Sequence, residues 1–220
     1  MWRLARRLRS RWRSSVDDVN GTAEYNLAVA AEENGRPAEA EERYRRAIEI
    51  SGSHEAMTNL GVLLLESGRA EEAEQWWTRA AGAGDSKAMG NLGGEAMIAG
   101  RLEIAEPWLR QAAEAGNLSA MVNLGVLLKR TGRTREAEQW YRRAAEAGQV
   151  NAMLRLGNAM ARAGIVDEAE RWWRRAADAG DVNAMLNLGD LLEDRARRGG
   201  AAWWRQRAAK AAETAETDPP

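Results

Sequence analysis

The chain has no cysteine and no phenylalanine, and only one histidine, His54, in 220 residues. Without cysteine there is no disulfide, no thiolate nucleophile and no thiolate metal ligand, and the redox compartment is left open. A histidine with no cysteine or second histidine near it does not make a metal site of ordinary composition, and no cofactor is expected. No stretch approaches the ~18 consecutive apolar residues of a membrane-spanning helix. The arginine-rich start is not followed by the ~7–15 apolar residues of a secretory signal, and Arg6-Arg7 fails as a twin-arginine export signal for the same reason. A cytoplasmic location is the default expectation. Gly-x-Ser-x-Gly and the glycine-rich phosphate loop are also missing. Gly90, Gly93 and Gly94 cluster within a helix-forming stretch rather than after a strand. Neither an enzyme nor a small-molecule substrate is expected.

What is present is a period. Ala-Met-x-x-Leu-Gly begins at Ala56, Ala88, Ala120, Ala152 and Ala184, every 32 residues. A strict period of this length marks a stacked repeat architecture. In residues 55–86, Met57, Leu60 and Leu64 follow helical spacing, and Gly68 closes that helix. A second helix runs from about Ala70 with Ala73, Trp77 and Ala80 on one face, until Gly84 ends it. Asp85 or Ser86 can cap the next helix. Six such hairpins are expected, near 21–54, 55–86, 87–118, 119–150, 151–182 and 183–216, with a short tail at 217–220. The first is degenerate, with Leu27-Ala28 for Leu-Gly and a second helix opening at Pro37. The last lacks the regular inter-helix glycine, and Gly199-Gly200 come about three residues late. Atypical ends suit a stack, because a terminal repeat shows water a face that inner repeats bury.

Ten tryptophans stand out in a chain without phenylalanine. Trp76-Trp77, Trp140-Tyr141, Trp172-Trp173 and Trp203-Trp204 fall in second helices, with Trp108 a single member. One ring of each pair is expected in the hairpin core and the other at a seam between hairpins. Charges pair along helices: Glu41–Arg45, Glu42–Arg46, Glu106–Arg110, Glu138–Arg142 and Glu170–Arg174 stand four apart with the acid N-terminal, the favourable order. They read as a solvated face, not as catalytic carboxylates with divided pKa values.

The order Met57-x2-Leu60-Gly61-x2-Leu64…Ala73-x3-Trp77…Ala80 resembles the tetratricopeptide repeat over roughly residues 21–210. Met replaces the family's first Trp and Leu its Tyr, and Asp85 stands for its Pro. The 32-residue period and the Ala-Glu-Ala-Gly links (Ala113 to Gly116, Ala145 to Gly148) are similar to the Sel-one-like relatives. The resemblance implies an all-α fold: a right-handed α-solenoid of about six antiparallel helical hairpins, with first helices lining a concave groove. It also implies a non-catalytic scaffold that binds a protein or peptide there.

Asn26, Asn59, Asn91, Asn123 and Asn187, with Arg155 in the fifth unit, each precede the Leu of the signature. The resemblance places this residue in the groove, where it can bond the backbone of a bound peptide; the other reading is a residue that stabilises local turns. The family's C-terminal carboxylate code is incomplete, because Gly90, Gly94 and Asn151 stand where Lys, Asn and Lys are required. Lys129 and Arg130 close the first helix of repeat four, and Arg155, Asn158 and Arg162 come from repeat five. An acidic protein or peptide is the natural partner for such a patch. The third unit is softer: three glycines crowd one helix and Pro107 sits inside the next, where a lost hydrogen bond or a kink is expected.

Near neutrality hides an asymmetry. The first 20 residues hold Arg3, Arg6, Arg7, Arg9, Arg11 and Arg13 against Asp17 and Asp18, a balance of +4 in a chain whose total is −1. Met1, Leu4, Ala5, Leu8 and Trp12 form one helical stripe among these arginines. Residues 1–20 therefore read as a basic amphipathic arm that caps the first repeat, stays disordered, or contacts an anionic membrane surface. Membrane contact makes the alternative function a peripheral adaptor. Nucleic-acid phosphates are the weaker alternative partner.

Overall fold

The computed structural model describes residues 19–194 and 198–217, and every element among them is a helix. The six arginines of the basic arm lie outside the described residues. The chain divides into two compact units, Met1–Ala115 and Gly116–Pro220. The first holds α1 (19–33), α2 (Pro37–Ser51), α3 (His54–Glu66), α4 (Ala70–Gly82), α5 (Ser86–Ile98) and α6 (Leu102–Glu114). The second holds α7 (Leu118–Arg130), α8 (Thr134–Glu146), α9 (Val150–Arg162), α10 (Val166–Asp178), α11 (Val182–Asp194) and α12 (Arg198–Thr217). Within each unit a helix packs against the one before it and the one after it.

Local sequence sets these lengths. From α3 to α10 each helix has 13 residues and stops at a glycine of positive φ, such as Gly68 at 77° and Gly84 at 91°. The Gly68 amide donates to Leu65 O at 2.9 Å and the Arg69 amide to Leu64 O at 2.8 Å, a double closure that satisfies the last carbonyls. An L-residue at Gly68 would be strained in that backbone. The same closure recurs at Gly84, Gly100, Gly132, Gly148, Gly164 and Gly180, so the 32-residue repeat is two beats of sixteen.

The two kinds of helix start differently. First helices are capped by a side-chain oxygen: Ser53 accepts from Ala56 N at 3.1 Å, Asp85 from Lys87 N at 2.8 Å, Asn117 from Ala120 N at 2.9 Å and Asp181 from Ala184 N at 2.7 Å. Asp85, not Ser86, is the cap of α5. The second helices α2, α4, α6, α8 and α10 have arginine or isoleucine there and no side-chain cap. Arg69 instead pairs with Glu72 in its own first turn and with Glu41 of α2, each at 2.7 Å.

The signature glycine is where the hairpin closes. A Cβ on Gly61 would lie 2.3 Å from Trp77 Nε1, one on Gly125 2.4 Å from Tyr141, and one on Gly157 2.6 Å from Trp173. The ring of the second helix therefore lies directly on the backbone of the first. Trp77 Nε1 also donates to Thr58 O at 3.0 Å. The preceding residue of each pair sits at the seam between hairpins under a guanidinium: Arg79 over Trp76 at 4.4 Å, Arg143 over Trp140 at 4.3 Å, Arg175 over Trp172 at 4.6 Å. Arg45 of the preceding hairpin also covers Trp76.

Two expectations are corrected. Trp203 is 52% exposed, because in the last hairpin Trp204 and Arg205 take the places of Trp172 and Trp173, and Trp203 takes that of Arg171. Arg142 pairs with Glu168 of α10 at 2.8 Å rather than with Glu138, because the next hairpin brings a carboxylate within reach. The other four within-helix pairs form. At Pro107 the lost hydrogen bond is what results: α6 runs unbroken through it, without the bond its missing N–H would have made to Glu103.

Candidate binding clefts

In the second unit, α7, α8 and α9 enclose a cleft of about 350 Å³. Lys129 comes from the last turn of α7, Thr134, Ala137, Glu138 and Tyr141 from α8, and Arg155, Asn158 and Arg162 from successive turns of α9. Helical spacing puts the last three on one stripe. Four of the predicted groove residues therefore line one cleft, while Arg130 and Asn123 are not among its lining residues. Arg155 Nε donates to Asn151 Oδ1 at 2.7 Å, which fixes the guanidinium beside the cleft. Burial pushes the Tyr141 phenol up, against the opposing charge of Arg155 and a hydrogen bond to it. Lys129, Arg155 and Arg162 form no ion pair among the described residues, and the facing carboxylate, Glu138, has none either. Three cations against one anion give the cleft a positive balance.

The asparagine row divides. Asn59 Nδ2 donates to the Tyr25 and Tyr44 hydroxyls at 3.1 and 3.3 Å, and Asn187 Nδ2 to Asn158 Oδ1 at 3.0 Å, so both tie their helix to the preceding hairpin. Asn158 Oδ1 also accepts from Trp173 Nε1 at 3.0 Å. Asn91 and Asn123 are half-buried, and neither makes a side-chain hydrogen bond among the described residues; Asn26 is exposed on α1. The sequence reading missed Glu138, assigned to Arg142, and Tyr141, assigned wholly to the core. The one signal for Tyr141 was its phenol, a hydroxyl that the tryptophans at equivalent positions lack.

A second cleft, of about 120 Å³, lies in the first unit among α3 to α6. Leu65, Trp77, Leu92, Ile104 and Trp108 give it apolar walls, and Glu71, Glu74, Glu95 and Arg101 its charges. Among the described residues no group of three or more metal-ligating side chains converges, and no helix is long and apolar enough to cross a membrane.

Models described as tetratricopeptide repeat match residues 3–54, 25–88, 117–149 and 150–175. The chain belongs to the tetratricopeptide repeat family. Among solved structures, a Sel1 repeat protein from Oxalobacter formigenes matches with 26% identity and a TM-score of 0.74, covering 88% of this chain and 89% of that one. A protective antigen of uropathogenic Escherichia coli strains, displaying an SLR fold, matches with 25% identity and a TM-score of 0.70. That match covers 86% of this chain and 46% of the antigen. YrrB, described as a tetratricopeptide protein with an unusual peptide-binding site, shares the fold at 21% identity and a TM-score of 0.54, covering 76% of this chain and 91% of its own. No curated protein sequence matches the chain. The tetratricopeptide chain is thus an all-α helical-repeat solenoid related to Sel1-like proteins, a fold of protein–protein interaction scaffolds that is generally non-catalytic.

Proposed function

We propose that this tetratricopeptide protein is a non-catalytic scaffold whose second unit binds an acidic segment of a partner protein in the α7–α9 cleft. The observation that carries the reading is the convergence of Lys129, Arg155 and Arg162, none of them in an ion pair, on one cleft with a single carboxylate. Arg69 and Arg174, by contrast, are neutralised by neighbouring acids. Cations left unneutralised beside Asn158 and the Tyr141 phenol suit carboxylate side chains on an extended segment. The lining residues stand on helices rather than loops, so the partner meets a preformed surface and little ordering cost is added on binding. A fluorescent peptide alternating glutamate and leucine tests the idea by anisotropy titration. The Lys129→Gln/Arg155→Gln variant should bind it about tenfold more weakly with the circular dichroism spectrum unchanged. Equal affinity for the two proteins would remove the cleft from consideration.

A further inference from the structure

The cleft of the first unit and the cleft of the second are the same place in the repeat, two periods apart, with their charges exchanged. Leu65 stands where Lys129 stands, Asn91 where Arg155 does, Glu95 where Ala159 does and Ile98 where Arg162 does. Every cation of the second cleft has a neutral residue at its counterpart, and a carboxylate appears where the second cleft has alanine. We infer that the first unit's cleft is a separate docking site for a basic segment of a partner protein, one that sets a lysine or arginine beside a large aliphatic side chain.

Two observations carry this beyond the presence of acids. First, Glu71, Glu74 and Glu95 make no ion pair among the described residues, although carboxylates on the neighbouring second helices do. For Glu74 the cause is visible in one column of the repeat. Arg46, Arg110 and Arg174 neutralise Glu42, Glu106 and Glu170 four residues earlier, and Arg142 turns instead to Glu168. Thr78 occupies that column after Glu74 and Ile104 stands where Glu168 does, so neither pairing is present there. Thr78 spends its hydroxyl on Glu74 O at 2.7 Å, leaving the carboxylate to the cleft. Second, the apolar rim is open: Ile104 is 48% exposed, and Ile98, one turn beyond Glu95 and Gly94 on α5, is 79% exposed. A Cβ on Gly94 would meet nothing within 4 Å, so an incoming side chain has access there. Three unpaired carboxylates around an apolar floor, with Arg101 the one lining cation, complement a cationic group on an aliphatic stem and repel an acidic one.

The test uses the full chain and two fluorescent peptides, one alternating lysine with leucine and one alternating glutamate with leucine, titrated at low ionic strength. Glu74→Gln/Glu95→Gln should weaken the basic peptide about tenfold and leave the acidic peptide unchanged. Thr78→Arg, which restores the column's arginine without removing a carboxylate, should weaken the basic peptide in the same direction. Lys129→Gln/Arg155→Gln should leave the basic peptide unaffected. The inference is overturned if the wild-type protein shows no saturable binding of the basic peptide. It is equally overturned if neither first-unit variant lowers the affinity, or if the second-unit variant lowers it as much. Because the acidic peptide reports on the other cleft in the same experiment, either site can fail without the other.

Discussion

Gly93 and Gly94 are neighbours in α5 with opposite demands on them. A Cβ at Gly93 would lie 2.6 Å from Leu109 Cγ and 3.1 Å from the Leu109 backbone nitrogen, so helix α6 would have to move away. At Gly94 the same atom enters open space. Gly93→Ala should therefore destabilise the protein by about 1–3 kcal/mol through overpacking. Gly94→Ala should stabilise it by about 1 kcal/mol, the helix-propensity difference between the two residues. Urea denaturation read by circular dichroism checks both, and the same sign for the two variants would contradict the packing argument. From sequence the pair reads as a single flexible cluster. Only Gly93 keeps the column of Gly61, Gly125 and Gly157, and the reason for that column is the side chain from the facing helix.

Between elements, the pairing of α8 with α10 through Arg142 and Glu168 adds a bond that spacing along one helix cannot reveal. The hydrogen bond from Arg142 holds the Glu168 carboxyl below the ordinary carboxylate value, partial burial works against it, and the Trp172 indole adds a weaker bond in the same direction. A carboxyl whose folded pKa is depressed stabilises the fold above its unfolded pKa and loses that contribution as pH falls through the folded value. The thermal stability of wild type should therefore exceed that of Glu168→Gln at neutral pH, and the gap should close on acidification from about pH 5 to about pH 3. A gap that stays constant over that range would mean that the link does not depend on charge. Helix starts and stops were legible in the sequence because Asp85, Asn117 and the turn glycines act on backbone within a few residues of themselves. The destinations of Arg142 and Asn59 were not, because their partners sit in neighbouring hairpins, Glu168 26 residues from Arg142 and Tyr25 and Tyr44 34 and 15 residues from Asn59. Trp203 was misjudged for a related reason: the Trp203-Trp204 pair stands one residue early against the 32-residue column, which the last hairpin keeps.

At the scale of the molecule, each unit carries its own stack of hairpins, and within a unit the main packing joins helices adjacent along the chain, with side-chain links reaching the next helix but one. Stability in such an arrangement is a sum of local terms and nearest-neighbour seams. The effect of Gly93→Ala should then stay near its origin: amide hydrogen exchange should quicken in α5 and α6 while α9 and α10 keep their wild-type protection. Uniform acceleration along the chain would show a single cooperative block instead. The repeat architecture was the most legible property of this sequence, since period and glycine stops are written in plain residue types. The clefts were partly so. The cations of α9 fall on one stripe by spacing alone, but the acidic counterpart in the first unit emerges only when columns two periods apart are compared.

The sixteen-residue beat of turns also bears on how such a chain changes length. Each turn is closed by bonds among residues within five positions of one another, and each hairpin from the second to the sixth by a side chain lying on the glycine sixteen residues before it, an aromatic ring in three of them. Recombination between equivalent turn glycines would insert or excise whole hairpins with every closure, cap and ring contact rebuilt from the transferred segment. The surface chemistry carried by a hairpin travels with it, so clefts of either charge can be added, lost or reordered without redesigning the fold that presents them.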